Sequence, residues 1–378
     1  MEKELKIYIA GIGAITPVGK NAEMTFASVN ARINRYQDSD YFTEQKQPVK
    51  MALVPPDALP EINDTPAIKG YTRWDRHLLQ MAHAAMIDAV KNAKIEKPVP
   101  LILACPQHYT KWPHQLPDNF VKSLIEQSGV PVNPELSRTV QTGRAGILDA
   151  LQIAFKYFLD TDTETILIGG VDSFQRPELF RGLLEEGRIA IQGNFDGFTP
   201  GEGAGFILLT RNKSNAFKQD KKNGCSLVRL SDPGVAQENG HMYSEESCLG
   251  DGLTNAFKQT LSQLNGSKIE HIYSSMNGER FWVKELGAAI TRNQSFLSDN
   301  YQVEHPADCY GDLGAASGAV LMGIAAQNLM GQQHKMHHLV CCSSDNTYRS
   351  AVVLAQEIQA QPKQNMPQSK DTNQQEYT

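Results

Sequence analysis

The chain has 378 residues, with 36 Lys and Arg against 42 Asp and Glu and a formal net charge of −6. That balance, with basic residues scattered, excludes a nucleic-acid surface, and the length suits one large α/β unit or two packed halves. No apolar run nears the ~18 residues of a membrane span and no signal-peptide core opens the chain, so a cytoplasmic protein without a membrane span is expected.

Taken in chain order, an apolar stretch over 5–12 predicts a buried strand, and "GIGAITPVGKN" predicts a Gly/Pro turn into a helix from about Ala22. The glycine spacing fits neither G-x-G-x-x-G nor a Walker pattern, so nucleotide binding is not expected. Helix-like periodicity follows over 73–93, a strand over 99–105, a helix over 119–127, and a short strand over 136–142 running into a helix over 145–159. The latter helix carries apolar Ile147, Leu148, Leu151, Ile153 and Ala154. A strand over 165–169, a long Gly- and Phe-rich section to 205, a strand over 205–210 and a polar crossing over 211–224 complete the first half. The basic run "KQDKKNG" inside that crossing reads as a solvated turn.

The second half repeats the order: strand 226–230, helix 252–264, strand 271–274, helices 283–289 and 315–329, strands 338–343 and 351–356. Strands alternating with helices predict a largely parallel sheet covered on both faces. The repetition suggests duplication, with halves at 1–215 and 216–358. The segment 359–378, rich in Gln, Lys and Pro, is expected to be a disordered tail.

Six cysteines show no C-x-x-C spacing, so neither a zinc site nor a disulfide framework is indicated, and no cofactor or metal is expected. The densest histidine group, "HKMHH" over 334–338, reads as surface decoration before a strand. The strand-to-helix junction "VQTGRAGILDAL" is a place where folds of this kind expose a nucleophile, and here it offers Thr142, Gly143 and Arg144.

Four segments together resemble the thiolase-fold β-ketoacyl synthases: "IYIAGIGAITPVGKN", "TILIGGVDSF", "FDGFTPGEGAGFILL" and "YGDLGAASGAVLMGIAAQ". The resemblance implies a thiolase-like five-layer αβαβα sandwich of two similar β/α halves, usually paired as a dimer. It also implies a cysteine and two histidines that condense acyl groups. Here the cysteine's place falls on Arg144, which stays protonated and is a poor nucleophile. The first histidine's place, in "SSMNGERFWVKELGAAI", falls on Asn277, Gly278 or Ser274. The second, in "GDLGAASG", falls on Asp312, and "CSSDNTYRS" replaces the closing Gly/Phe-rich loop.

With four elements changed together, the chain is expected to be catalytically degenerate. The resemblance brings Arg144, Glu279, Arg280, Lys284, Asp308, Asp312, Asp345 and Arg349 to one pocket mouth, where opposite charges would form a buried salt-bridge network, and Thr142 and Cys309 are further pocket candidates. Two other readings stand beside it. Arg144 would bind a phosphate or carboxylate, or Cys309 would act as a nucleophile with His305 or Asp308.

The expected function is therefore that of a binding or accessory protein. "GGVDS" and "AGILDAL" resemble chain-length-factor partners, the inactive half of a ketosynthase pair. "HPADCYGDLGAASG" and "CSSD" are similar to thiolase-like proteins associated with type VI secretion, where the role would be effector loading. The alternative is an active acyltransferase of the 3-oxoacyl-ACP synthase type with a rearranged site. Expected partners are a second copy or another thiolase-fold chain, and a secretion effector or an acyl carrier protein. The loop 108–120 and the strand 165–169 are the candidate interface regions.

Overall fold

A computed structural model describes residues 5–221 and 224–360. Of the expected tail over 359–378, residues 359 and 360 instead belong to a strand, where Gln359 and Ala360 pair with Cys225 and Gly224; residues 361–378, and residues 222 and 223 of the basic turn, lie outside the described residues. The first half contains β1 (Ile7–Ile15), α1 (Ala22–Asn30), β2 (Gln37–Phe42), β3 (Pro48–Met51), α2 (Arg73–Val90) and β4 (Leu101–Ala104). It continues with α3 (Phe120–Ser128), β5 (Arg138–Val140), α4 (Gly146–Asp160), β6 (Thr165–Ser173), α5 (Pro177–Glu185) and β7 (Glu202–Thr210). The second holds β8 (Gln219–Lys221), β9 (Gly224–Leu230), β10 (Gly234–Gln237), α6 (Asp251–Leu261), β11 (Ile269–Ser274) and α7 (Arg280–Arg292). β12 (Leu297–Glu304), α8 (Ala307–Tyr310), α9 (Ser317–Gly331), β13 (His337–Ser343) and β14 (Tyr348–Ala360) complete it.

The main sheet runs β5-β4-β6-β7-β1 and continues through β9-β14-β13-β11-β12, so the strand order of one half is repeated in mirror sequence by the other. The halves meet where Ile7 and Tyr8 of β1 pair antiparallel with Leu230 and Arg229 of β9. Only the outer three strands of each half are parallel; β7, β1, β9 and β14 run antiparallel to their neighbours. The expectation of a largely parallel sheet is corrected here. The section after β6 folds over that strand's C-terminal end and enters β7 from the same end, which forces antiparallel pairing.

Side-chain alternation along each strand builds the layers. In β4, Leu101 and Leu103 enter a core under α2 and α3, while Ile102 and Ala104 face the central layer of α4 and α9. In β13, Leu339 and Cys341 pack under α6 and α7, while Val340 and Cys342 face the same central layer. Strands buried on both faces read as continuous apolar runs for this reason. The order helix, sheet, helix, sheet, helix is the five-layer sandwich.

The "GIG" segment, expected to open a turn, lies within β1, and its glycines have a packing explanation. A Cβ on Gly13 would sit 2.0 Å from the Ala85 carbonyl oxygen, so glycine lets the α2 backbone lie against β1. A capping box between Thr72 and Asp75 starts α2, and Asn21 caps α1. Strand β6 is bonded to β4 on one side and β7 on the other, so the residues 165–169 have no free edge for a partner strand. On that side of the sheet the edge belongs to the three-residue β5.

Candidate functional site

Two matching turns position the site. In the first half Gly143, at φ +69°, opens a three-residue 3₁₀ turn into the 15-residue α4; in the second Gly314, at φ +51°, opens an equal turn into the 15-residue α9. A left-handed backbone without a Cβ suits both positions, since a Cβ on Gly314 would meet Asp172 Oδ2 at 2.1 Å. The turns place Arg144 and Asp312 face to face in the central layer.

Arg144 is 3 % exposed. Its Nε donates to Asp312 Oδ2 at 2.7 Å, Nη2 donates to the same oxygen, and Nη1 donates to Asp345 Oδ1 at 2.6 Å. Arg188, also buried, donates to both Glu279 oxygens at 2.8 and 2.9 Å and to Asp345 Oδ2 at 2.7 Å. Tyr109 donates its hydroxyl to Asp345 Oδ2 at 2.8 Å. Asn277 donates to Asp312 Oδ2 at 2.9 Å and to Glu279 Oε2 at 3.1 Å, and Trp282 Nε1 donates to Glu279 Oε2 at 2.9 Å. The Trp282 ring lies 5.2 Å from the Arg144 guanidinium carbon.

Every ion pair of this cluster crosses between the halves. Its cations come from the first half and its carboxylates from the second. Burial works against charge on Arg144 and Arg188, yet the facing carboxylates outweigh it and keep both guanidiniums ionised. Burial alone would raise the Asp345 carboxyl, but Arg188 and Arg144 hold it well below the usual carboxylate range. Beside Arg144 only about 10 Å³ of space is left, roughly one water's room.

Asp172 borders that space with both oxygens bonded, to Ala315 N at 2.9 Å and Ser173 N at 2.8 Å. Burial pushes it up to about 7 in spite of those bonds, with the Asp312 charge adding to the rise. A raised carboxyl contributes stability that is full below the unfolded value, about 4, and is lost as pH rises through the folded value. Asp172→Asn, which keeps one acceptor and carries no charge, should gain on wild type in melting temperature between about pH 5 and pH 8. A difference that stays constant across that range in thermal melts would refute the assignment.

Not all of the expected residues join the cluster. Lys284 and Arg280 lie on the exposed face of α7, and Arg280 reaches Asp196 at 3.6 Å. Arg349, fully buried, forms a separate pair with Glu285 at 2.6 Å. Asp308 is exposed and bonds His305 Nδ1 at 2.9 Å, while Cys309 points into the core beneath α8. Burial pushes the Cys309 thiol up, the opposite of what a nucleophile needs. Thr142 stands half-buried beside the turn, outside the ion-pair cluster, with its side chain toward Asp149. The expectation of one pocket mouth is thus corrected: α7 turns Arg280 and Lys284 outward, α8 carries Asp308 on the surface and Cys309 in the core, and Arg349 pairs apart with Glu285.

Arg188, Tyr109, Tyr243 and Trp282 complete the cluster and were not singled out from the sequence as its members. Charge counting is the signal for Arg188. With Arg280, Lys284 and Arg349 placed elsewhere, the three carboxylates of Glu279, Asp312 and Asp345 face Arg144 alone, an excess of negative charge that calls for a further buried cation. Nearby, Glu238, Cys248 and Glu285 bring donor atoms within 4.8 Å of one another. Glu285 is already engaged by Arg349 and Ser343, and burial pushes the Cys248 thiol up to about 11, so the trio is not arranged to hold a cation.

No protein-family model matches the sequence, and no curated protein matches it. Solved structures do match. The ishigamide ketosynthase/chain length factor aligns with a TM-score of 0.72 at 14 % identity, over 93 % of this chain and 99 % of that one. The ketosynthase from module 6 of the bacillaene synthase from Bacillus subtilis 168 aligns at 0.70 and 16 % identity, over 93 % of this chain and 72 % of that one. A type II polyketide synthase acyl-carrier protein in complex with its ketosynthase bound to the hexaketide aligns at 0.70 and 16 %, over 93 % and 99 %. Together with the layering and the paired Gly143 and Gly314 turns, these likenesses establish that the chain has the thiolase-like fold of the ketosynthases.

Proposed function

We propose that this is a catalytically degenerate ketosynthase-fold protein that acts by binding, with residues 1–215 and 216–358 as its two halves. The reading rests on one observation: where the resemblance implies an acyl-carrying cysteine, Arg144 stands buried and paired with Asp312 and Asp345, with about 10 Å³ beside it. Pockets that take small molecules run to about 300–1,000 Å³. A buried guanidinium that already gives three of its five N–H groups to two carboxylates, which also offset its charge, has little attraction left for a phosphate, which weighs against the anion-binding role for Arg144. Cys309, buried and unpaired with His305, weighs against a rearranged acyltransferase.

A thiolase-fold partner, a second copy or a ketosynthase, fits this reading, and the likeness to a ketosynthase/chain length factor supports it. The effector-loading role has its own support. "CSSD" supplies Asp345 and "GDLG" supplies Asp312, the two carboxylates that hold Arg144, and Ser344 of "CSSD" accepts from the neighbouring Ala145 N–H, so the segments that carry the secretion-associated resemblance are the ones around Arg144. Among the described residues no helix is long and apolar enough to cross a membrane, which accords with a cytoplasmic site of action.

Intact mass spectrometry after incubation with acyl-CoA and acyl carrier protein thioesters tests the proposal. Wild type is expected to gain no acyl mass. A stable adduct on any wild-type cysteine would overturn the binding reading and restore an enzyme. Labelling of Arg144→Cys alone would show the acyl path can be reopened at that position.

A further inference from the structure

One residue of "HKMHH" is not surface decoration. His338, on β13, is 1 % exposed and pairs in register with His271 on β11, so both rings stand on the sheet face turned to the central layer. The ring centroids are 4.9 Å apart. His338 Nδ1 lies 3.0 Å from the Ala325 carbonyl oxygen, and a carbonyl only accepts, so Nδ1 carries the proton and Nε2 presents a bare lone pair. His338 Nε2 and His271 Nδ1 are both buried and have no hydrogen-bond partner among the described residues.

We propose that His271 and His338 form a two-histidine site for a borderline-soft divalent cation of the zinc and cobalt class. A histidine whose second nitrogen is tied to a backbone carbonyl is the usual form of a metal-ligating imidazole, with its tautomer and ring orientation fixed. Two imidazoles select zinc, cobalt, nickel or copper over magnesium and calcium, which take oxygen ligands. His271 is half-buried, so the ion would enter from its side and keep water in its remaining positions. Glu304 on β12 pairs in register with Tyr273, two residues along the same face from His271, but is held at 2.7 Å by Arg32, so the two imidazoles are the protein's ligands.

The test uses the full chain titrated with Co²⁺, followed by visible absorption and equilibrium dialysis, with Zn²⁺ as competitor. One equivalent of Co²⁺ should bind and be displaced by Zn²⁺. His271→Ala, a half-buried position, should weaken binding by at least about tenfold, while a His334→Ala, His337→Ala double variant should bind as wild type does. Should His338→Gln fail to fold, Zn²⁺-induced shifts of the wild-type imidazole NMR signals carry the same information, and His271 and His338 are the two expected to move. Absence of bound Co²⁺, binding unchanged in His271→Ala, or shifts confined to other histidines would each overturn the proposal.

Discussion

Asp345→Ala is expected to destabilise the protein by about 3–5 kcal/mol, the range for breaking a buried ion pair by removing one partner. Asp345 accepts from Arg144, Arg188 and Tyr109 at once, so its loss removes the carboxylate the two guanidiniums share, leaves Arg144 to Asp312 and Arg188 to Glu279 alone, and leaves the buried Tyr109 hydroxyl without its acceptor. Urea unfolding measures the loss. The control is Asp251→Ala, whose partner Arg292 lies at 2.8 Å on the surface, where a pair contributes about 0–1 kcal/mol. Equal effects at the two positions would mean that water reaches Asp345 and that the cluster is not the seam between the halves. The pH dependence has a defined sign as well. A carboxyl held below its unfolded value contributes stability that is present above about pH 4 and is lost as pH falls through its depressed folded value. Wild type should therefore weaken steeply below about pH 4, and Asp345→Ala should lack that part of the loss.

The layers were legible in the sequence because strands buried on both faces leave uninterrupted apolar runs, such as Leu101–Ala104. Elements facing water were not. β12, with the sequence LSDNYQVE, is an edge strand whose polar exposed positions hide its extended shape, and β2 is exposed along its length. α5 escaped because its nine residues sit inside a Gly- and Phe-rich section with few helical turns to display a period. At the site, the positions of Arg144, Asn277 and Asp312 follow from matched segments, but which charge meets which does not. Arg188 lies 91 positions from Glu279 and 157 from Asp345, and no local pattern encodes contacts at that range. Asp308 shows the reverse failure. It is near Asp312 in sequence, yet the turn at Gly311, φ +72°, separates their directions.

Trp282→Ala is expected to cost about 3–5 kcal/mol, as large aromatic truncations in cores do. Trp282 is 3 % exposed and lies between two buried cations, 5.2 Å from Arg144 and 5.6 Å from Arg349, with its indole N–H on Glu279. Trp282→Phe keeps most of the volume and an aromatic face, but leaves Glu279 one donor short, so a smaller loss of about 1–3 kcal/mol should follow. If the ring is the plug that fills the space over Arg144, the alanine variant holds a cavity lined by charge on one side and apolar surface on the other. Indole added in excess should then raise its melting temperature and leave wild type unmoved, because a ligand that binds only the folded state stabilises it by mass action. A loss below about 1 kcal/mol in Trp282→Ala would mean that the neighbouring chains collapse into the gap, as sites free to relax do, and that the tight packing around Arg144 does not depend on this ring.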